Sequence, residues 1–102
     1  MRIGRSRFRD VVTRQLDIFA VDLSTVVEEE AAAWTTWNNA GRDEAEDAYA
    51  DWQLVADAMV DELTTLRDGY AATLDSETAP KYEDVFTRVA RRRFPRLGEL
   101  LE

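Results

Sequence analysis

Apolar side chains recur along this chain in steps that alternate between four and three residues, in two rows separated at Gly41. The first row consists of Val12, Leu16, Phe19, Leu23, Val26, Glu30, Ala33 and Trp37. The second row consists of Ala45, Tyr49, Trp52, Ala56, Met59, Leu63, Leu66 and Tyr70. Steps that average about 3.5 residues keep a row of side chains on one helix face. The pattern therefore predicts two long helices that pack as an antiparallel hairpin.

Cap and turn residues predict where the helices begin and end. Ser6 is a suitable N-cap for helix 1, and Asp43 with Glu46 forms a capping box for helix 2. A third amphipathic helix follows, and Pro95 ends it. The expected bounds are about 6–38 for helix 1, 43–74 for helix 2, 79–94 for helix 3 and 95–102 for a C-terminal tail or short extra turn. The predicted fold is all-α, with a single helical domain over residues 1–102.

The hairpin tip is expected to lack a third helix. If the chain turns at residues 39–42, facing residue numbers sum to about 82, so Glu30 should lie near Trp52. Helix 3 rises only about 22 Å, roughly half the hairpin's height. It can cover Leu63 but not the aromatic residues near the turn, which are Trp34, Trp37, Tyr49 and Trp52.

Exposed aromatic surfaces of this size usually mark an interface. The sequence therefore predicts a homodimer in which these four residues meet their copies in a four-helix-type bundle. The alternative is that the three tryptophans fill the core of one chain. Where the three helices meet, the core is expected to contain Leu23, Leu63 and Phe86.

Glu30 is the only charged member of the first row. It could be a buried carboxylate that holds a metal ion or fixes the register of the bundle. Alternatively, it could lie close enough to the hairpin tip to reach water and pair with Arg42. The cost of burying an unpaired carboxylate favours the second interpretation.

Charge is unevenly distributed along the chain. Residues 1–9 carry +4, residues 10–79 carry −14 and residues 80–102 carry +2, which together make the net charge of −8. An acidic body repels phosphate, so nucleic-acid binding is not favoured. The acidity fits either a salt-adapted host or a surface for a basic protein partner, and the sequence leaves both open.

Four arginines precede the acidic body: Arg2, Arg5, Arg7 and Arg9. Cations at a helix N-terminus oppose the helix dipole, so these residues need another explanation. The hairpin would bring Arg5 and Arg9 to the same end of the molecule as Asp68, Asp75 and Glu77, which favours ion pairs. The other interpretation is an anion-contacting arm.

The composition narrows the available chemistry. There is no Cys and no His, which removes thiolate chemistry, the commonest general base and the commonest metal ligand. No apolar run of about 18 residues is present, so no membrane span is expected. The first residues are basic without the apolar stretch of a secretory signal, so a cytoplasmic location is expected. We predict no cofactor and no catalytic residues.

Acidic residues on both sides of the turn follow two metal-binding spacings. Glu44-Ala45-Glu46-Asp47 fits E-x-x-D, and Glu28-Glu29-Glu30-Ala31-Ala32 fits E-E-x-x-E without its last Glu. In this respect the chain resembles all-α nucleotide pyrophosphohydrolases of the MazG type. That resemblance implies Mg²⁺-dependent nucleotide hydrolysis, with Glu28, Glu29, Glu44 and Asp47 as the metal ligands.

The length, the acidity and the predicted hairpin support a second resemblance. Trp37-Asn38-Asn39-Ala40-Gly41 places a tryptophan and a glycine at the hairpin tip. The layout resembles secreted helical-hairpin proteins of the WXG type, although the spacing from Trp to Gly differs from theirs. This resemblance implies a dimeric, secreted protein.

The function that the sequence favours is that of an interaction module rather than an enzyme. An acidic homodimeric helical bundle would suit an adaptor, an assembly factor or an inhibitor of a basic protein partner. The Mg²⁺-dependent hydrolase and the secreted hairpin protein are the alternatives.

Overall fold

The structure is a computed structural model that describes the backbone of residues 3–102 and the side chains from Phe8 onward. Its helices are α1 (Ile3–Asp22), α2 (Ser24–Asn38), α3 (Ala45–Ala71) and α4 (Ala79–Arg93), followed by a 3-10 turn at Pro95–Leu97. The described residues contain no strand, which confirms the predicted all-α class. They form an elongated body of 54 × 23 × 21 Å.

The first predicted helix is divided in two at Leu23, which corrects the expected single helix over 6–38. Leu23 has φ −115° and ψ 37°, outside the helical region. Its N–H still bonds to the carbonyl of Phe19 at 2.8 Å, and its carbonyl accepts from Val27 at 3.1 Å. The interruption is therefore a bend. It has a clear physical reason, because α1 packs mainly on α4 whereas α2 packs on α3.

The cap predictions at the two hairpin helices are wrong. Helix α1 begins at Ile3, so Ser6 lies within the helix. Helix α3 begins at Ala45 with Glu44 at the N-cap, and no side chain in the described structure caps it. The capping box from Asp43 is absent because the Glu44 N–H bonds to the carbonyl of Gly41 at 3.0 Å, which closes the turn through the backbone.

Helices α2 and α3 form an antiparallel pair with the register expected from the sequence. The indole N–H of Trp52 donates a hydrogen bond to Glu30 at 2.8 Å, and these residue numbers sum to 82. Nearer the tip, the rings of Trp37 and Tyr49 lie 4.6 Å apart. The pairing brings the two apolar rows face to face.

The core lies where α1, α3 and α4 meet. Leu63 and Phe86 are fully buried there, while Leu23 is only half-buried at the bend. Tyr82 is also buried, and its hydroxyl donates to Gln15 at 2.8 Å. Burial raises the pKa of Tyr82 to about 12, although the bond to Gln15 acts in the opposite direction. The buried hydroxyl is thus neutral and has a partner.

The C-terminal tail, residues 94–102, packs against the helices. The ring of Phe94 meets Phe19 edge-on at 6.2 Å, and Leu97 and Leu101 are buried. Arg91 donates from Nε to the carbonyl of Leu101 at 3.0 Å and so holds the end of the chain. The tail contains the short extra turn expected from the sequence, and its last residue lies beside the C-terminal part of α3, where Arg67 donates to the backbone oxygen of Glu102.

Within the described residues, no helix combines the length and the apolar character needed to cross a bilayer.

Candidate functional site

Four aromatic side chains at the hairpin tip form one cluster, which we call the aromatic cluster: Trp34, Trp37, Tyr49 and Trp52. Helix α2 supplies the first two and α3 supplies the others, each pair spaced three residues apart and so on one helix face. Ring centroids of Trp37 and Trp52 lie 5.4 Å apart, and those of Trp34 and Trp52 lie 5.9 Å apart. These distances are typical of interacting aromatic pairs.

The chain covers part of this cluster itself. Trp52 is buried, Trp34 and Trp37 are half-buried, and Tyr49 is 38% exposed. The sequence left two alternatives for these residues, an interface or the core of one chain. Trp52 lies in the core of one chain, whereas Tyr49 keeps a free surface. The homodimer remains a prediction.

Beneath the aromatic cluster, Glu30 lies in what we call the Glu30 pocket, which is formed by Glu30, Trp34, Trp52 and Arg96. Glu30 is only 3% exposed. Its Oε2 accepts from Trp52 Nε1 at 2.8 Å and from Arg96 Nε at 2.8 Å, while Oε1 accepts from Arg96 Nη2 at 2.6 Å. The guanidinium thus forms a bidentate ion pair with the carboxylate through two parallel hydrogen bonds, the strongest arrangement for such a pair.

Arg96 reaches this pocket because of the path of the tail. Helix α4 ends at Arg93, and Pro95 starts the 3-10 turn that carries Arg96. Phe94 and Leu97, on either side, pack into the core and fix the turn. The guanidinium carbon lies 5.6 Å from the centroid of the Trp34 ring, within the range of a cation–π interaction.

Both members of the pair are charged at neutral pH. Burial is the largest influence on Glu30 and raises its pKa, but hydrogen bonds from Arg96 and Trp52, together with the charge of Arg96, outweigh it. The net result is a pKa below the usual 4.5. The hydrogen bond to Glu30 raises the pKa of Arg96. No buried side-chain nitrogen or oxygen in the described part lacks a hydrogen-bond partner.

The favoured interpretation of Glu30 is therefore wrong. It does not reach water or pair with Arg42, which is exposed, because Arg96 supplies the cation. A lone acid in an apolar row does signal a buried cation partner. The sequence after residue 79 offers six basic side chains, and nothing local to Arg96 selects it from them.

The acidic residues of the hydrolase resemblance all lie at the surface. Glu28, Glu29, Glu44 and Asp47 are exposed. Across residues 3–102, the described side chains include no group of three or more acidic residues that could hold a metal ion.

The arginine-rich start lies mostly outside the described side chains. Arg2 is outside the described residues, and the side chains of Arg5 and Arg7 are outside them as well. Arg9 is exposed and, among the described side chains, forms no ion pair. Asp68, one of its expected partners, bonds to Arg67 at 2.9 Å instead.

The charge of α3 and of the turn just before it forms a second notable feature. Residues 43–66 contain eight carboxylates and no Lys or Arg. We call this set the acidic surface, and it consists of Asp43, Glu44, Glu46, Asp47, Asp51, Asp57, Asp61 and Glu62. All eight side chains are exposed. The ion pairs of the described structure lie elsewhere.

Comparison with known proteins adds no relative. The chain has no significant match among protein-family models, curated proteins or solved structures.

Proposed function

We propose that this protein is a non-enzymatic interaction module, acting as an adaptor, assembly factor or inhibitor, that binds a basic protein partner. The observation that carries the proposal is the acidic surface, because residues 43–66 hold eight exposed carboxylates and no Lys or Arg. A surface that carries charges of one sign attracts an oppositely charged partner and speeds its association.

The arrangement of ion pairs supports this role. The described ion pairs use Asp17, Glu30, Asp68 and Asp84, and none of these belongs to the acidic surface. Like charges close together on a helix weaken it. The fold retains these charges and directs them to solvent, where a partner's Lys and Arg would relieve the repulsion.

Charge removal on α3 tests the proposal. The triple variant Asp57→Asn, Asp61→Asn, Glu62→Gln should bind a lysine- and arginine-rich peptide about tenfold more weakly than the wild type in calorimetric titration at low salt. The control is Asp22→Asn, Glu77→Gln, Glu99→Gln, which removes the same charge from exposed sites outside α3. A loss of less than about threefold is expected for the control. Equal losses would mean that net charge alone drives binding, and that result would contradict the proposal.

We further propose that the module acts as a homodimer joined at the aromatic cluster. Tyr49 is the most exposed member of the cluster, and half-buried Trp37 lies against it. Large aromatic side chains left partly in water favour association, because covering them removes apolar area from solvent.

Sedimentation tests the dimer. The wild type should sediment as a dimer at micromolar concentration, and Tyr49→Asp should shift it to monomer without loss of helix, because Tyr49 lies outside the Glu30 pocket. Leu54→Asp is the matched control and should remain a dimer, since Leu54 is 71% exposed on the same helix but lies outside the aromatic cluster. A monomeric wild type would disprove the dimer.

A further inference from the structure

We infer that the Glu30 pocket is an arginine-recognition site which the chain's own Arg96 occupies, and that an arginine of a basic protein partner competes with Arg96 for it. The inference rests on the proposed function and names the side chain that the pocket selects. It makes the tail an intramolecular competitor of the partner.

The pocket matches a guanidinium rather than an ammonium. Both oxygens of Glu30 take part, one facing Nη2 at 2.6 Å and the other facing Nε at 2.8 Å. The guanidinium carbon lies 5.6 Å from the centroid of the Trp34 ring, which adds a cation–π contact. Lysine offers a single point charge and cannot reproduce the two parallel bonds.

The carboxylate is oriented independently of its cation. Trp52 donates from Nε1 to Oε2 of Glu30 at 2.8 Å, and Trp52 belongs to α3, not to the tail. The pocket walls come from α2 and α3, which pair extensively. Removal of Arg96 therefore leaves the other groups of the site in position.

Replacement of Arg96 by a partner's arginine requires movement of the Arg96 side chain but not of Glu30. The side chain of Arg96 is 36% exposed, whereas that of Glu30 is 4% exposed. The guanidinium thus enters from the solvent side, and a partner's arginine can follow the same path. Arg96 is carried by a three-residue turn, a much smaller element than the helices that form the walls.

The acidic surface and the pocket both use residues of α3. Asp51 belongs to the acidic surface, and the next residue, Trp52, orients Glu30. A basic segment attracted to this helix is held at a raised local concentration beside the pocket. One partner can therefore use both features, the surface for attraction and the pocket for selection.

The test compares two peptides that are identical except that every basic residue is arginine in one and lysine in the other. In Arg96→Ala, calorimetric titration should show that the arginine peptide binds about tenfold more tightly than the lysine peptide. The preference should be smaller in the wild type, where Arg96 competes. It should vanish in Arg96→Ala with Glu30→Gln, while the salt-dependent binding common to both peptides remains.

Equal binding of the two peptides by folded Arg96→Ala would overturn the inference and leave the proposed function standing. Should Arg96→Ala not fold, the wild type decides: excess arginine peptide should shift the Trp52 indole N–H resonance, and the lysine peptide should not. An unchanged resonance with both peptides overturns the inference.

If neither peptide binds, the proposed function fails, and small cations then test the pocket alone. Ethylguanidinium should raise the melting temperature of Arg96→Ala and leave that of the wild type unchanged, whereas ethylammonium should raise neither. The absence of this difference overturns the arginine site.

Discussion

Leu63→Ala is expected to lower the free energy of unfolding by about 2–5 kcal/mol. Leu63 is fully buried in the core cluster, which also contains buried side chains of α1 and Phe86 of α4. The substitution removes buried apolar atoms and leaves a cavity that surrounding helices fill only in part. Urea denaturation followed by circular dichroism measures the effect.

Leu54→Ala is the control for this measurement, because it makes the same chemical change on the same helix at an exposed position. Its effect should stay within about 0.5 kcal/mol. A loss below about 1 kcal/mol for Leu63→Ala would show that the second apolar row does not face the core.

Arg96→Ala is expected to cost about 2–4 kcal/mol at neutral pH, somewhat less than the 3–5 kcal/mol typical of breaking a fully buried ion pair. The substitution leaves the buried Glu30 carboxylate with only Trp52 as a partner. The expected cost is lower than for a fully buried pair because Arg96 is partly exposed, so water screens its charge and can solvate Glu30 in the variant. Arg92→Ala is the control, since Arg92 is exposed and lies outside the described ion pairs. Equal losses in the two variants would exclude a special role for the pair.

The loss of stability in Arg96→Ala should depend on pH. The pKa of Glu30 is lowered in the folded protein, so the pair stabilises the fold fully above the ordinary value of 4.5. This contribution disappears as the pH falls through the lower folded pKa. In Arg96→Ala, burial raises the pKa of Glu30 with less opposition. The stability difference between wild type and variant should therefore shrink in acid, and Glu30→Gln should abolish that trend.

Periodicity predicted the hairpin because the side chains on one helix face are determined by local spacing. Every described member of the two rows is buried or half-buried except Tyr49, which remains 38% exposed. The register was predictable for the same reason, since the length of the turn fixes which residues face each other. The contact between Trp52 and Glu30 shows the expected pairing.

The Glu30 pocket could not be predicted in full, because its cation lies 66 residues away in sequence. The tail has no repeating pattern, and its path depends on the packing of Phe94, Leu97 and Leu101 against helices formed elsewhere. The bend at Leu23 also depends on tertiary packing, since α1 and α2 follow different partner helices. Local sequence rules contain neither piece of information.

The tail has a mechanical consequence for the bend at Leu23. Phe94 contacts Phe19, four residues before the bend, and Arg96 bonds to Glu30, seven residues after it. Two side chains of one short segment therefore brace the long bent helix from both sides. These two contacts place residues from the opposite end of the chain on both arms of the bend. Release of Arg96 would remove the contact on the α2 side and leave Phe94 against Phe19 on the α1 side.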